Sequence, residues 1–457
     1  MFVRKWSSLP ADPVFPRDLK GLGYFINKDD EVRSIENEDN YFKYFLSRNV
    51  RVCDRQRFAM NQAIQDEIHK RLADLGLSKL FLPMCTTTAP SDPNVPIFVT
   101  ADLATKSRVV IIFGETHQDL GVLAHRVLGG KGGIEKGSLV SAIKALLQQR
   151  CSPTNPTAPG IILANMGELI WWPEGKRTLS KFAFDWSPMR SAAHNGNYLD
   201  PKVNSVPENE NSGAHIKYIF EKVVPEFVDP AAGLDIIGLG DGADAIEIYL
   251  NCDATWDRVG GRINCFASVG GLFPDWDLKC DGLREFLKDR ARAYAPSPET
   301  LGMVLSGSSG NPNTSTFTSI GCPVFSAGEP LYIETLFIAS YTTVLDWLQE
   351  VADTSSKAKP YKNPTFTVVY SEGPEEKNDW SDWEEEQNSA AGGANSANGD
   401  GELLVIPGDS VVAEEADQEK TGDEQEEMNA VGKFSNDSLS ALKEALETVM
   451  DDAKSKA

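Results

Sequence analysis

Residues 234–245, Leu-Asp-Ile-Ile-Gly-Leu-Gly-Asp-Gly-Ala-Asp-Ala, constrain this chain more than any other stretch. Leu234-Asp-Ile-Ile reads as a short buried strand, and Ala243 to Leu250 reads as a helix. Gly238, Gly240 and Gly242 between them permit a turn too tight for side chains. A strand that turns so sharply into a helix belongs to a parallel sheet, because parallel strands need crossovers. The rest of the chain must then supply further units of the same kind.

It does. Arg108-Val-Val-Ile-Ile-Phe, Gly160-Ile-Ile-Leu-Ala, Arg262 to Ser268, Arg292 to Tyr294 and Pro323-Val-Phe-Ser read as strands. Helices are expected from Asp54 as N-cap through Met60, Ile64, Ile68 and Leu72, with Gly76 as the stop. Further helices are expected over Gln118 to Leu128, behind Ser138, over 214–224, over Gly282 to Arg290, and ending at Val344 to Val351. Gly21 to Ile35 reads as a hairpin turning at Asn27. The pattern implies an α/β fold in three layers, with a mostly parallel central sheet covered on both faces.

The body is nearly neutral and the end is not. Residues 371–457 hold 24 acidic and 6 basic side chains, a net of −18, out of −23 for all 457 residues. Residues 1–14 read as an irregular arm and 15–355 as the folded domain. Residues 356–434 read as a disordered acidic C-terminal linker, since so polar a stretch buries too little apolar area to offset chain entropy. Over 435–452, Leu439, Leu442, Leu446, Val449 and Met450 fall on one face of an amphipathic helix. That helix, through Leu442 and Leu446, and the tryptophans Trp380 and Trp383 among acids are the candidate partner-binding residues.

Seven widely spaced cysteines without a C-x-x-C read as reduced thiols, so no metal and no cofactor are expected. No run approaches the roughly 20 apolar residues that cross a bilayer, and the first residues lack the apolar core of a secretory signal. A soluble intracellular protein, nuclear or cytoplasmic, is expected, without membrane contact.

The candidate chemistry centres on the glycine turn. In α/β-hydrolases this place carries G-x-S-x-G, with a serine nucleophile lifted above the sheet. Here that position is Gly240, followed by Asp241, and none of the five histidines comes after His215. Both nucleophile and base are therefore missing from the order such enzymes use. A cryptic hydrolase would use a serine with another base, such as Ser268 or Ser326, although nothing local favours either. The same turn matches G-x-G-x-x-A of nucleotide sites, although it is not the first strand–helix unit and Asp241 places a negative charge there.

Glu115 and His117, after the strand 108–113, hold the place of an oxyanion-hole loop, and with Ser268 they make up a vestigial cleft. His117 between Glu115 and Asp119 is either an acid–base or metal group or a hydrogen-bonded histidine at a helix start. Gly129-Gly-Lys-Gly-Gly is an anion cradle or a surface loop. The aromatics Trp171, Trp172 and Phe182 to Trp186 suit packing or base stacking, but without a basic excess direct RNA binding is not expected.

Asp18-Leu-Lys-Gly-Leu-Gly-Tyr-Phe-Ile-Asn, Arg33-Ser-Ile-Glu-Asn, Arg108 to Glu115, Ile236 to Asp244 and Leu345-Asp-Trp-Leu-Gln-Glu-Val resemble the fungal Argonaute-binding-protein-2 domain over about residues 15–355. Relatives of that domain also follow the deacetylase domain of class II histone deacetylases, and this chain resembles the stand-alone form. The resemblance implies an α/β-hydrolase-like fold. It further implies partnership with Argonaute and its associated proteins in a small-RNA complex of heterochromatin silencing. Some members keep a serine at the elbow, and Gly240 departs from that pattern. The expectation is a non-catalytic pseudo-hydrolase scaffold. Its rivals are a cryptic esterase, a nucleotide-binding domain, and a subunit contacting histone or chromatin factors apart from Argonaute.

Overall fold

Four strands in which nearly every residue is buried dictate the layout: β5 (Arg108–Phe113), β6 (Gly160–Ala164), β9 (Gly233–Leu239) and β10 (Ile263–Val269). Strands buried on both faces need cover on both faces. The computed structural model, which describes residues 9–194, 196–271, 273–314, 319–355 and 359–371, supplies it. The expected helix over 435–452 and the residues Trp380, Trp383, Leu442 and Leu446 lie outside the described residues, as does most of the expected linker.

Nine strands form the central sheet. Besides those four, it contains β3 (Leu77–Leu82), β4 (Val95–Thr100), β11 (Ala291–Ala295), β12 (Val304–Ser306) and β13 (Val324–Ser326), in the order β12-β13-β11-β10-β9-β5-β6-β4-β3. All pairs from β13 to β6 are parallel, and antiparallel pairs close both edges. Two separate ribbons, β1 (Tyr24–Ile26) with β2 (Val32–Ser34) and β7 (Ile170–Trp172) with β8 (Arg177–Leu179), lie outside it.

Side chains alternate between two apolar layers with the period of a strand. Val109, Ile111, Phe113 and Ile236 face the layer that contains the helices Ser212–Tyr218, Asp241–Leu250 and Asp281–Arg290. Val110, Ile112 and Ile237 face the layer of Val50–Asp74, Val140–Leu146 and Ile333–Thr354. The result is the expected three-layer, α/β-hydrolase-like α/β fold.

Several local expectations are corrected. Gln118 to Leu128 is helical only over His125–Leu128. Gly121, at φ +86°, turns the chain away from helix, and the amides of Leu123 and Ala124 both bond the Gly137 carbonyl instead. The first helix begins at Val50 with Asn49, not Asp54, as cap; Asp54 is buried on the helix, accepting the Tyr44 hydroxyl at 2.8 Å. The helix Val140–Leu146 starts two residues after Ser138, whose hydroxyl accepts the Val140 amide at 3.4 Å.

At the foot of the sheet, Arg108 of β5 and Asp235 of β9 form a buried ion pair of 2.6 Å, both side chains at most 2% exposed. Arg108 also donates to the Arg150 carbonyl and the Gln149 side chain just past Val140–Leu146. Asn264 of β10 donates to the other Asp235 oxygen at 2.9 Å.

The packed body also runs past the boundary expected at 355. Residues 359–371 form a strap across the sheet edge. The Tyr361 ring is buried, and its oxygen accepts from Arg292 (2.8 Å) and Trp347 (3.3 Å). Asn363 caps the end of the helix Asp281–Arg290, its amide donating to the Asp289 carbonyl and its side chain to that of Ala291 at the start of β11. Phe366 stands edge-on to Phe325, and Asn311 holds the Tyr370 carbonyl at 2.9 Å.

Replacing Asp235 with Ala leaves Arg108 charged and buried, and is expected to cost about 3–5 kcal/mol in urea unfolding. A chain ending at Ser355 is expected to melt several degrees below one ending at Ser371, and Tyr361→Ala to reproduce most of that loss at roughly 3 kcal/mol.

Candidate functional site

The turn between β9 and the helix Asp241–Leu250 is built by close approach. A side chain at Gly238 would meet the Ala243 backbone at 2.6 Å, and one at Gly242 would meet the Gly114 carbonyl oxygen at 2.1 Å. These glycines let the helix start directly against β9 and the end of β5. Gly240 itself lies at φ +51°, ψ −133°, a region that side-chain-bearing residues avoid. It occupies the apex, where a hydrolase presents its nucleophile.

Glu115, two residues beyond β5, occupies the space above that apex. A Cβ on Gly240 would lie 2.7 Å from Glu115 Cγ and 3.0 Å from its carboxyl. The absence of a side chain at 240 and the presence of this one at 115 are thus a single packing arrangement. Burial, then the charges of Asp241 and Glu334, pushes the Glu115 pKa up to about 8. The group therefore holds its proton through the neutral range.

Asp241, first residue of the helix, turns back to the loop after β5. Its carboxylate accepts the Thr116 amide at 2.8 Å and the Thr116 hydroxyl, and His117 Nε2 stands 4.0 Å from it. The Asp241 carboxylate also puts a negative charge at the helix N-terminus, where a nucleotide phosphate would sit. Ser268 is brought near the turn by β10, paired beside Gly238. It is buried, however, and donates to the Gly271 carbonyl at 3.4 Å. Ser326 is equally buried and donates to the Glu299 carbonyl at 2.8 Å.

Of the expected cleft residues, the structure thus gathers Gly238, Gly240, Asp241, Gly242, Glu115 and His117 around one turn and leaves Ser268 beneath it. The pocket above them is open, with about 490 Å³ of atom-free space that includes its opening to solvent. Its walls are apolar, with Leu123, Met166, Val269 and Phe337 among them, and carry three carboxyl groups, Glu115, Asp119 and Glu334.

No other histidine reaches the turn. Burial and the Lys79 charge push His69 down to about 3, and burial does the same to His215. Both are neutral and hydrogen-bonded, His69 to Leu120 and Lys79, His215 to Asn165 and Asn209.

Sequence reasoning missed the network behind the pocket. Asp119 accepts the Ser180 hydroxyl at 2.8 Å and lies 3.3 Å from His125 Nε2. Burial would raise its pKa, but His125 and Ser180 hold it below the usual carboxylate value. Glu168 accepts the Leu120 amide (2.8 Å) and Gln65 (2.9 Å), and burial beside Asp119 pushes it up to about 7. A signal existed: Glu168 is a lone acid inside Met166-Gly-Glu-Leu-Ile-Trp-Trp.

The Gly129–Gly133 run does meet carboxylates, the chain's own. Glu31 accepts the Gly132 amide at 3.2 Å, and Asp30 accepts the Glu135 amide at 2.7 Å. Trp171 and Phe184 are packed inside, so this aromatic stretch offers few faces for stacking. Among the described residues, no three His, Cys, Asp or Glu converge as metal ligands, and no helix is long and apolar enough to cross a membrane.

With this geometry in hand, comparisons with known proteins can be placed. The family model described as the Arb2 domain matches residues 15–301. No curated protein matches the chain. A solved structure described as that of the histone deacetylase Clr3 is similar at a TM-score of 0.33 and 11% identity, over 64% of this chain. The matched part is 38% of the deacetylase chain, and at that TM-score the fold assignment rests on the sheet described above.

Gly240→Ser is expected to cost roughly 1–3 kcal/mol from backbone strain, with the clash added. Glu115→Ala, which removes the clashing atoms, should recover part of the loss in a double-mutant cycle. The raised Glu115 pKa fixes a pH dependence. The unfolded chain releases this proton near 4.5 and the folded chain only near 8, so the folded state binds more protons between them. Its contribution to stability is complete below 4.5 and falls as pH rises to 8. Unfolding at pH 5 and pH 8 should therefore show Glu115→Gln gaining on the wild type at the higher pH.

Proposed function

The chain belongs to the Arb2 domain family, and from that premise we propose that it is a non-catalytic pseudo-hydrolase scaffold for Argonaute and its associated small-RNA proteins, in heterochromatin silencing. The observation that supports the non-catalytic half is the Glu115 side chain standing where a nucleophile would project from residue 240. A hydrolase needs a nucleophile, a base in reach of it, and room for the acyl carbon. Here the apex has no side chain and its space is filled. The nearby hydroxyl, Thr116, is given to Asp241 rather than to an imidazole. The partner half rests on the family alone, and its contacts are sought in the acidic tail, with Trp380, Trp383, Leu442 and Leu446 as the proposed residues.

A second reading has one observation in its favour. His117 lies 4.0 Å from Asp241, a base–acid pair beside the glycine turn. A cryptic esterase built on it would label with fluorophosphonate and lose turnover of simple esters in His117→Ala.

The expected outcome is no labelling and no ester turnover by the full chain. Tagged native protein is expected to retain Argonaute after RNase treatment. A chain ending at Ser371, which keeps the strap, separates tail contacts from body contacts. Argonaute absent with and without RNase would overturn the partner assignment. Labelling abolished by His117→Ala would overturn the non-catalytic one.

A further inference from the structure

A second, open cleft lies behind the elbow, on the far side of Asp119, with about 660 Å³ of atom-free space that includes its opening to solvent. The N-terminal arm, the helix Val50–Asp74, the β7–β8 ribbon and residues 183–188 border it. Three arginines line it: Arg17, Arg55 and Arg177.

They are not equivalent. Arg55 is saturated, with Asp12 at 2.8 and 3.1 Å and the Trp186 carbonyl on its other side. Arg17 sits at the surface with its guanidinium 5.3 Å from the centre of the Trp172 ring. Arg177, paired across the ribbon with Trp172, points its guanidinium at the same ring, 5.8 Å from the centre. Its Nε is buried and has no hydrogen-bond partner among the described residues.

A guanidinium cannot shed its proton to escape burial, so a poorly solvated one needs an anion. The two carboxylates of this cavity are committed elsewhere. Asp119 bonds Ser180 and His125, and Glu168 bonds the Leu120 amide and Gln65. Both can offset the Arg177 charge at a distance, but neither forms an ion pair with it. The remaining wall is mixed; it includes the aromatic rings of Phe15, Phe58 and Trp186 beside the polar Asn61 and Gln62.

We propose that this cavity binds an aryl oxyanion, a carboxylate or phosphate carried on an aromatic ring, with the half-buried Arg177 as the anchor and Arg17 at the mouth. The charge is recognised by planar, bidentate donors that match an oxyanion. The ring is taken up by the aromatic part of the wall, which gains little from a bare inorganic anion.

The test is calorimetric titration of the full chain with phenyl phosphate, benzoate and the neutral benzyl alcohol, on wild type, Arg177→Met and Arg177→Lys. The wild type should bind one or both anions saturably in the millimolar range or below, and benzyl alcohol far more weakly. Which anion binds tighter separates a phosphate site from a carboxylate site. Arg177→Met should weaken binding at least about tenfold, and Lys, a point charge without the fork, should fall between. Without ligand, the Met variant should melt within a few degrees of the wild type, since Arg177 makes no ion pair whose loss would be felt. Equal binding by wild type and the Met variant would overturn the proposal. So would a wild type that neither anion saturates, or a Met variant that melts several degrees lower without ligand, which would make Arg177 a structural group.

Discussion

The pair between Arg108 and Asp235 is the contact on which the rest of this architecture depends. It joins adjacent central strands at the end where the chain has just crossed over, and it fixes their register in the interior. Because Arg108 also caps the carbonyl of Arg150, the same guanidinium ties the sheet to the end of the helix Val140–Leu146. From there the tie continues, since Gln149 donates to the Leu345 carbonyl and Arg150 pairs with Asp353. Sheet and final helix are thus linked by one polar chain whose inner members are shut off from water. Such a chain is strong only when complete, because each member is desolvated on behalf of the others.

The strap at 359–371 works by different physics. It belongs to no helix or strand and holds by local substitution. Tyr361 supplies its oxygen to Arg292 and Trp347, and Asn363 donates to carbonyls left open where the helix Asp281–Arg290 passes into β11. Arg292 is the hub, its guanidinium within 5.0–5.3 Å of the Trp347, Phe325 and Phe366 rings. The strap starts against one apolar layer and ends against the other, so it closes the side of the sandwich at the β12–β13 edge.

Much of the fold was legible in the sequence, and the reasons are local. Strands such as Val109 to Phe113 and Ile236 to Leu239 are continuous apolar runs because both their faces are covered. The antiparallel strands β3 and β4 were missed because they alternate imperfectly, with Lys79 and Pro96 interrupting the pattern. The strap was missed because Tyr-Lys-Asn-Pro-Thr-Phe has no period at all; its residues are specified by contacts 14 to 75 positions away. Gly121 shows the converse: the apolar content of 118–128 suits a helix, and one positive φ breaks it. At the site, the bare apex at Gly240 could be read directly. Its relation to Glu115, and that of Asp119 to Ser180, could not, since nothing in spacing reveals which distant side chain fills a vacated space.

The arrangement at the elbow also has a consequence for the mutational routes open to this chain. A one-step change at residue 240 to serine creates a hydroxyl jammed against Glu115, and a one-step change at 115 opens a hole above a glycine. Each intermediate is worse than its starting point, and neither brings a base. Placing a side chain at 240 therefore requires crossing a valley of at least two linked substitutions. The glycine and the glutamate lock each other in place, so ordinary single-residue drift tends to preserve the bare apex.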